Sequence, residues 1–157
     1  MERPPRSKPD GPKVEPDLAA RALRLLARRE HTRLELCRKL APHVEDPLRL
    51  EAVLDDLTQR GWLSDERFVE QFVHARRGRL GPARIRRALL ERGVAEELIA
   101  GALRGLKAGE LEAARAVWAR KFKAPATTHS ERARQVRFLQ SRGFTTELAM
   151  RIVRGRP

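Results

Sequence analysis

The chain contains one cysteine, Cys37, no tyrosine and no asparagine, and only 4% of its residues are aromatic. A single thiol excludes a disulfide framework and any site built from several thiolates, and it fits a reducing compartment. So few aromatic residues argue against a large β-sandwich and for packing by aliphatic helix faces. Catalytic constellations are missing as well. His31, His43, His74 and His129 are scattered, Cys37 has no arranged base, and there is no glycine-rich phosphate loop or paired metal-ligand motif. No enzyme activity, cofactor or metal is therefore expected. No segment reads as an export signal or a membrane span, so a cytoplasmic protein without membrane contact is expected.

What the chain has in excess is positive charge. Over 157 residues, 34 Lys and Arg stand against 21 Asp and Glu, a net charge of +13. The excess is uneven: residues 107–157 carry twelve basic and four acidic residues, a net +8, against +3 for 64–106 and +1 each for 1–16 and 17–63. Such asymmetry is the footprint of a protein that meets a polyanion or an acidic surface.

The pattern along the chain is helical after a short preamble. Residues 1–16 hold Pro4, Pro5, Pro9, Pro12 and Pro16 with almost nothing apolar, which reads as a disordered tail. Asp17 can then cap a helix carrying Ala19, Ala22, Leu23 and Leu26 at three- and four-residue spacing. Thr32 with Glu35 spells a capping box for a second helix, and Pro42 to Pro47 breaks the chain before a third that ends at Gly61. Ser64 opens a fourth and Gly81-Pro82 a fifth that stops at Gly93; Leu98, Ala102 and Leu103 mark a short sixth. Leu111, Ala114, Trp118 and Phe122 mark a seventh, Ser130 caps an eighth, and Thr145 caps a ninth. No window alternates at period two, so no strands are expected.

Residues 32–57, 81–106 and 130–155 superpose as repeats. Leu40, Leu89 and Leu139 coincide, as do Leu54, Leu103 and Val153, and Arg92-Gly93 falls on Arg142-Gly143. The first copy lacks that glycine. The expected fold is all-α: nine helices in three tandem three-helix repeats, over 17–63, 64–106 and 107–157, forming an elongated, curved body. At ~1.5 Å per residue in helices of about 14 residues, three units side by side extend roughly 60 Å.

Three stretches resemble the RecX family, bacterial regulatory proteins that modulate the RecA recombinase. They are Gly61-Trp62-Leu63-Ser64-Asp65-Glu66-Arg67-Phe68-Val69, then Gly81-Pro82 with Arg84-Ile85 running through Leu89 to Arg92-Gly93, and Arg137-Phe138-Leu139 with Arg142-Gly143-Phe144. Trp62 stands for the family's usual Tyr, Ser64 for Asp or Asn, and Ala88 where an acidic residue is common. The resemblance spans about Leu18 to Val153. It implies a non-enzymatic regulator that binds RecA filaments on single-stranded DNA and inhibits filament growth, ATP hydrolysis and strand exchange in recombination and repair. An asymmetric array lying along a filament needs no two-fold partner, so a monomer is expected.

Arg84, Arg87, Arg134 and Arg137 lie mid-helix, where complementing the helix dipole does not account for them, and they are candidates for contact with RecA or with phosphate. Arg76, Arg77 and Lys121 lie near helix ends, where contact and dipole complementation are both open. Arg79, Arg120 and Lys123 lie at the same ends. A planar guanidinium suits carboxylate and phosphate alike, so direct contact with single- or double-stranded DNA stays open beside contact with RecA. Trp62, Phe68, Phe72, Trp118, Phe122, Phe138 and Phe144 are read as core rather than as base-stacking platforms. Asp55, Asp56, Asp65 and Glu66 can face a basic surface or serve capping and solvation.

The alternative is a free-standing DNA reader of helix-turn-helix type. The side chains that read adenine are scarce, with Gln59, Gln71, Gln135 and Gln140 the only candidates, which leaves mainly phosphate contact for such a protein.

Overall fold

The structure is a computed structural model that describes residues 18–155; the proline-rich segment 1–16 and the cap expected at Asp17 lie outside the described residues. Nine α-helices and two short 3-10 turns, with no strand, make up the described residues: α1 (Leu18–Arg28), α2 (Arg33–Leu40), α3 (Pro47–Gln59), α4 (Asp65–Arg76), α5 (Pro82–Glu91), α6 (Glu96–Arg104), α7 (Glu110–Lys121), α8 (His129–Ser141) and α9 (Thr146–Val153).

Local chemistry sets where these helices begin. The Thr32 hydroxyl accepts from the Glu35 N–H at 3.1 Å while the Glu35 carboxylate accepts from the Thr32 N–H, the reciprocal box its spacing predicts. Asp46 caps α3, Ser64 caps α4 and Thr145 caps α9. The eighth helix departs from expectation: its cap is Thr128, not Ser130. Thr128 stands three residues before Glu131, so the two close a full capping box, whereas Ser130 falls inside the first turn.

Three helices are too few to bury much, and each group of three closes around its own apolar cluster. In the first, Leu36, Leu40, Leu54 and Leu57 are buried; in the second, Phe68, Phe72, Ile85, Leu89 and Ile99; in the third, Ala114, Leu139, Phe144, Ile152 and Val153. Leu40, Leu89 and Leu139, which coincide in the repeat, are each fully buried, and burying a leucine stabilises by roughly 1.5–3 kcal/mol. Trp62 breaks the core expectation. It lies 46% exposed on the turn after Gly61, with the Arg60 guanidinium 5.3 Å from its ring, because Leu63 takes the inward place behind the glycine.

The groups join through one repeated contact. Between the second and third, the Gly81 N–H, at the start of the middle helix α5, donates to the Arg142 carbonyl at 2.6 Å, the Ala83 N–H to the Gly143 carbonyl at 3.2 Å, and the Arg84 guanidinium to the Ser141 carbonyl at 2.8 Å. Between the first and second, the Thr32 hydroxyl, at the start of the middle helix α2, donates to the Arg92 carbonyl at 2.7 Å. In both cases the turn that ends one middle helix sits on the start of the middle helix before it. Such backbone approach leaves no room for side chains. Gly143 has φ +93, and a Cβ on it would lie 2.5 Å from the Arg84 Cβ; Gly93 has φ +74, and a Cβ there would lie 2.7 Å from a Leu34 methyl. The first group has Val44 in extended backbone at the corresponding place, after the Ala41–His43 3-10 turn.

His31 underlies the first junction. It is buried beside Thr32, its Nδ1 donates to the Arg29 carbonyl at 2.9 Å, and its Nε2 accepts from the Lys39 ammonium at 3.2 Å, an arrangement that requires a neutral ring. Burial holds its pKa below the ordinary 6.5, reinforced by the charges of Arg29 and Lys39 and opposed by the bond to the Arg29 carbonyl and by Glu35.

Two predictions follow from the junctions. Gly143→Ala, strained in φ and overpacked, should lose about 3 kcal/mol or more in urea unfolding, whereas Gly61→Ala, with φ +72 but nothing within 4 Å of a new Cβ, should lose only about 1 kcal/mol. Equal losses would refute the close-approach account. Because the folded state holds His31 below its ordinary value, its contribution is whole above pH 6.5 and declines as the pH falls through that value. The urea midpoint should drop on acidification, and less so in His31→Gln; parallel pH curves for the two proteins would exclude His31 as a source.

Candidate partner-binding surface

In the first two groups many of the carboxylates have internal partners. Arg33 binds Glu51 and Asp55, Arg60 binds Asp56, Arg67 binds Glu30, Arg92 binds Glu35, Arg86 binds Glu96 and Arg87 binds Glu91. The Asp65 carboxylate accepts from the Arg33 N–H at 2.8 Å across the first junction. Asp55, Asp56 and Asp65 are thus engaged within the chain. In the third group Glu131 is turned back onto Thr127 and Thr128, whose backbone N–H groups hold its carboxyl below the usual carboxylate range, with a smaller contribution from the charge of Arg134. The consequence is a group of cations that have no carboxylate partner among the described residues.

The arginines singled out by sequence divide accordingly. Arg84 is a junction residue, its guanidinium turned onto the Ser141 carbonyl, and Arg87 is paired with Glu91 at 3.1 Å on the same helix. Arg76 lies over the Phe72 ring, 3.7 Å from its centroid; burial there, with Arg92 nearby, lowers its pKa. Arg134 and Arg137 are exposed on α8, and Arg134 lies 5.9 Å from the Phe122 centroid. Arg77 lines a cavity of about 410 Å³ between the second and third groups, with Leu80, Leu106 and Phe144 among its walls.

Lys121 is the residue that tertiary structure brings into company. It shares a cleft of about 240 Å³ with Arg79, Arg120 and Arg142, floored by Val117 and Phe138. None of these four cations has a carboxylate partner among the described residues. Arg79 comes from the α4–α5 connector, Arg120 and Lys121 from the end of α7, and Arg142 from the turn that docks on α5. Sequence reasoning had Arg79 and Arg120 only as helix-end charges and Arg142 only as a repeat position. The signal for Arg142 was its place before Gly143, which ties it to the junction. Gln135 is unavailable to a base: it is buried, accepting from the Trp118 indole at 2.9 Å and donating to the Ala124 carbonyl at 3.2 Å.

Comparison with known proteins gives this arrangement relatives. Residues 64–103 match the family model of the second three-helix domain of RecX, and residues 108–153 that of the third. The chain is similar to the regulatory protein RecX of Leptothrix cholodnii, 50% identical over 137 residues that cover 87% of each chain. It is 45% identical to the regulatory protein RecX of Ralstonia nicotianae over 138 residues, 88% of this chain and 87% of that one. Its fold is similar to the crystal structure of RecX from Lactobacillus salivarius, with a TM-score of 0.76 at 17% identity over 88% of this chain and 93% of that chain.

The division between junction and free cations is open to a stability measurement. Arg84→Ala should cost about 1 kcal/mol by removing its bond to the Ser141 carbonyl. Arg120→Ala with Lys121→Ala should stay within about 0.5 kcal/mol of the parent, because no internal partner is lost. A large loss in the double variant would make the cleft a structural feature.

Proposed function

The chain belongs to the RecX family of regulatory proteins, and from that premise we propose that it regulates RecA by binding the RecA filament on single-stranded DNA and hindering its growth, ATP hydrolysis and strand exchange. It acts by occupancy rather than catalysis. The observation that carries this reading is the set of cations in the third repeat and at its junction with the second that share a cleft with no carboxylate partner among the described residues, Arg79, Arg120, Lys121 and Arg142, together with the exposed Arg134 and Arg137 on α8. A filament of nucleoprotein offers both carboxylates and phosphates to such a face, and guanidinium groups bind either in a planar fork. The chain works as a monomer. A second copy that extended the array would have to seat the Pro42–Pro47 turn, which carries Val44 in place of glycine, on the start of α8.

The test is RecA-dependent ATP hydrolysis on single-stranded DNA, titrated with this protein at substoichiometric ratios beside a DNA-binding titration at the same salt. Hydrolysis should fall well before free DNA is saturated. Arg134→Glu with Arg137→Glu should weaken the inhibition about tenfold while helicity is retained. Loss of hydrolysis only when the protein coats the DNA would replace this reading with that of a basic nucleic-acid binder.

A further inference from the structure

One face of α7 lines both depressions at the second junction. Glu110, Ala113, Val117 and Lys121 recur every three or four residues and so share a side of the helix. Glu110 and Ala113 wall the cavity of about 410 Å³, while Val117 and Lys121, with Arg120, wall the cationic cleft of about 240 Å³. The α4–α5 connector forms the opposite bank of both, giving Gly78 and Leu80 to the first and Arg79 to the second. The result is a groove along α7, apolar at one end, where Leu80, Leu106 and Phe144 meet, and cationic at the other.

Three glycines keep the apolar end open. Gly105 and Gly109 have φ −68 and −107, which any residue adopts. A Cβ on Gly78 or Gly109 would meet nothing within 4 Å, and one on Gly105 only the Ala102 carbonyl at 3.6 Å. The fold does not need glycine at these places, in contrast to Gly81, Gly93 and Gly143, where a Cβ has no room. What the missing side chains leave is space in the cavity.

We propose that this groove is a docking site for an extended peptide segment of a partner protein, with an aliphatic side chain in the cavity and carboxylates on the cationic rim. The inference rests on the partner-protein reading above and assigns it a contact. Charge complementarity points to an acidic end, since Arg79, Arg120, Lys121 and Arg142 have no carboxylate partner among the described residues. At the other end Leu80, Leu106, Phe144 and the Glu110 carboxylate outweigh the single cation Arg77 and disfavour a phosphate chain, which carries a charge at every nucleotide. The Phe138 ring is no free stacking platform, because Phe122 meets it at 87° with centroids 5.3 Å apart and Arg142 lies 5.2 Å from its centroid. From Ala113 to Lys121 the helix rises about 12 Å, which an extended chain at ~3.3 Å per residue spans in three to four residues. The aliphatic residue and the carboxylates therefore stand three to four positions apart.

The probe is a fluorescein-labelled peptide, Ser-Leu-Gly-Ser-Glu-Glu, followed by fluorescence anisotropy on the full chain at low salt, with labelled hexathymidylate in parallel. Gly109→Leu, which fills the cavity, and Arg120→Glu with Lys121→Glu, which inverts the rim, should each weaken peptide binding about tenfold. Gly101→Ala, outside the groove, should not change it, and circular dichroism checks that every variant stays helical. Peptide binding unaffected by Gly109→Leu overturns the proposal. So does hexathymidylate that binds more tightly than the peptide and loses affinity in Gly109→Leu, which would assign the groove to nucleic acid. The same proteins are then assayed on RecA-dependent hydrolysis. Full inhibition by a Gly109→Leu protein that has lost the peptide overturns the groove as a partner contact. Groove-dependent peptide binding by a parent protein that leaves RecA hydrolysis untouched instead overturns the RecA reading and supports the groove.

Discussion

The molecule depends on a backbone-to-backbone contact: the turn ending one middle helix lies against the first turn of the preceding middle helix, close enough that Gly81 and Gly143 cannot carry a Cβ. A three-helix unit of about 45 residues has too little interior to be stable alone, so its stability is shared with its neighbours. The contact that shares it also fixes their relative orientation. Because the acceptors on the turn are peptide carbonyls, whether the donor is a peptide N–H, the Thr32 hydroxyl or the Arg84 guanidinium, the geometry depends little on which side chains the turn itself carries. The left-handed glycine is what brings those carbonyls within reach.

That geometry determines what the surface can do. At the first junction Arg67 and Arg92 bind Glu30 and Glu35, and the charges are consumed in holding the units together. At the second junction the connection is made by main chain and by Arg84, and Arg79, Arg120, Lys121 and Arg142 have no carboxylate partner among the described residues. Docking the Arg142–Gly143 turn on α5 carries the Arg142 side chain to the rim of a cleft that Arg79 reaches from the second unit and Arg120 and Lys121 reach from the third. One contact therefore joins the units and gathers the cations, and a displaced turn would scatter both.

Much of the architecture was legible in short-range chemistry. Thr32 with Glu35, Ser64, Gly81-Pro82 and Thr145 each mark a helix start by satisfying or omitting an orphan N–H, and these signals act within four residues. The eighth helix was misplaced by two residues because Ser130 competed with Thr128, and only the reciprocal partner Glu131 separates them. Trp62 was misread because apolar character predicts burial only on average. At the turn after Gly61 there is one inward position, and Leu63 fills it.

The sequence by itself determined the helices, their caps, the three-fold repetition of Leu40, Leu89 and Leu139, and the concentration of positive charge in the last third, since each follows from periodicity, local bonding or a count. The tertiary structure alone decided which cations are free. Arg84, Arg87 and Lys121 look alike along the chain, yet Arg84 ends on a carbonyl 57 residues away, Arg87 on its own helix, and Lys121 beside three other cations. Whether a charge is engaged depends on distances across the fold, and those were set by where two glycines allowed backbones to meet.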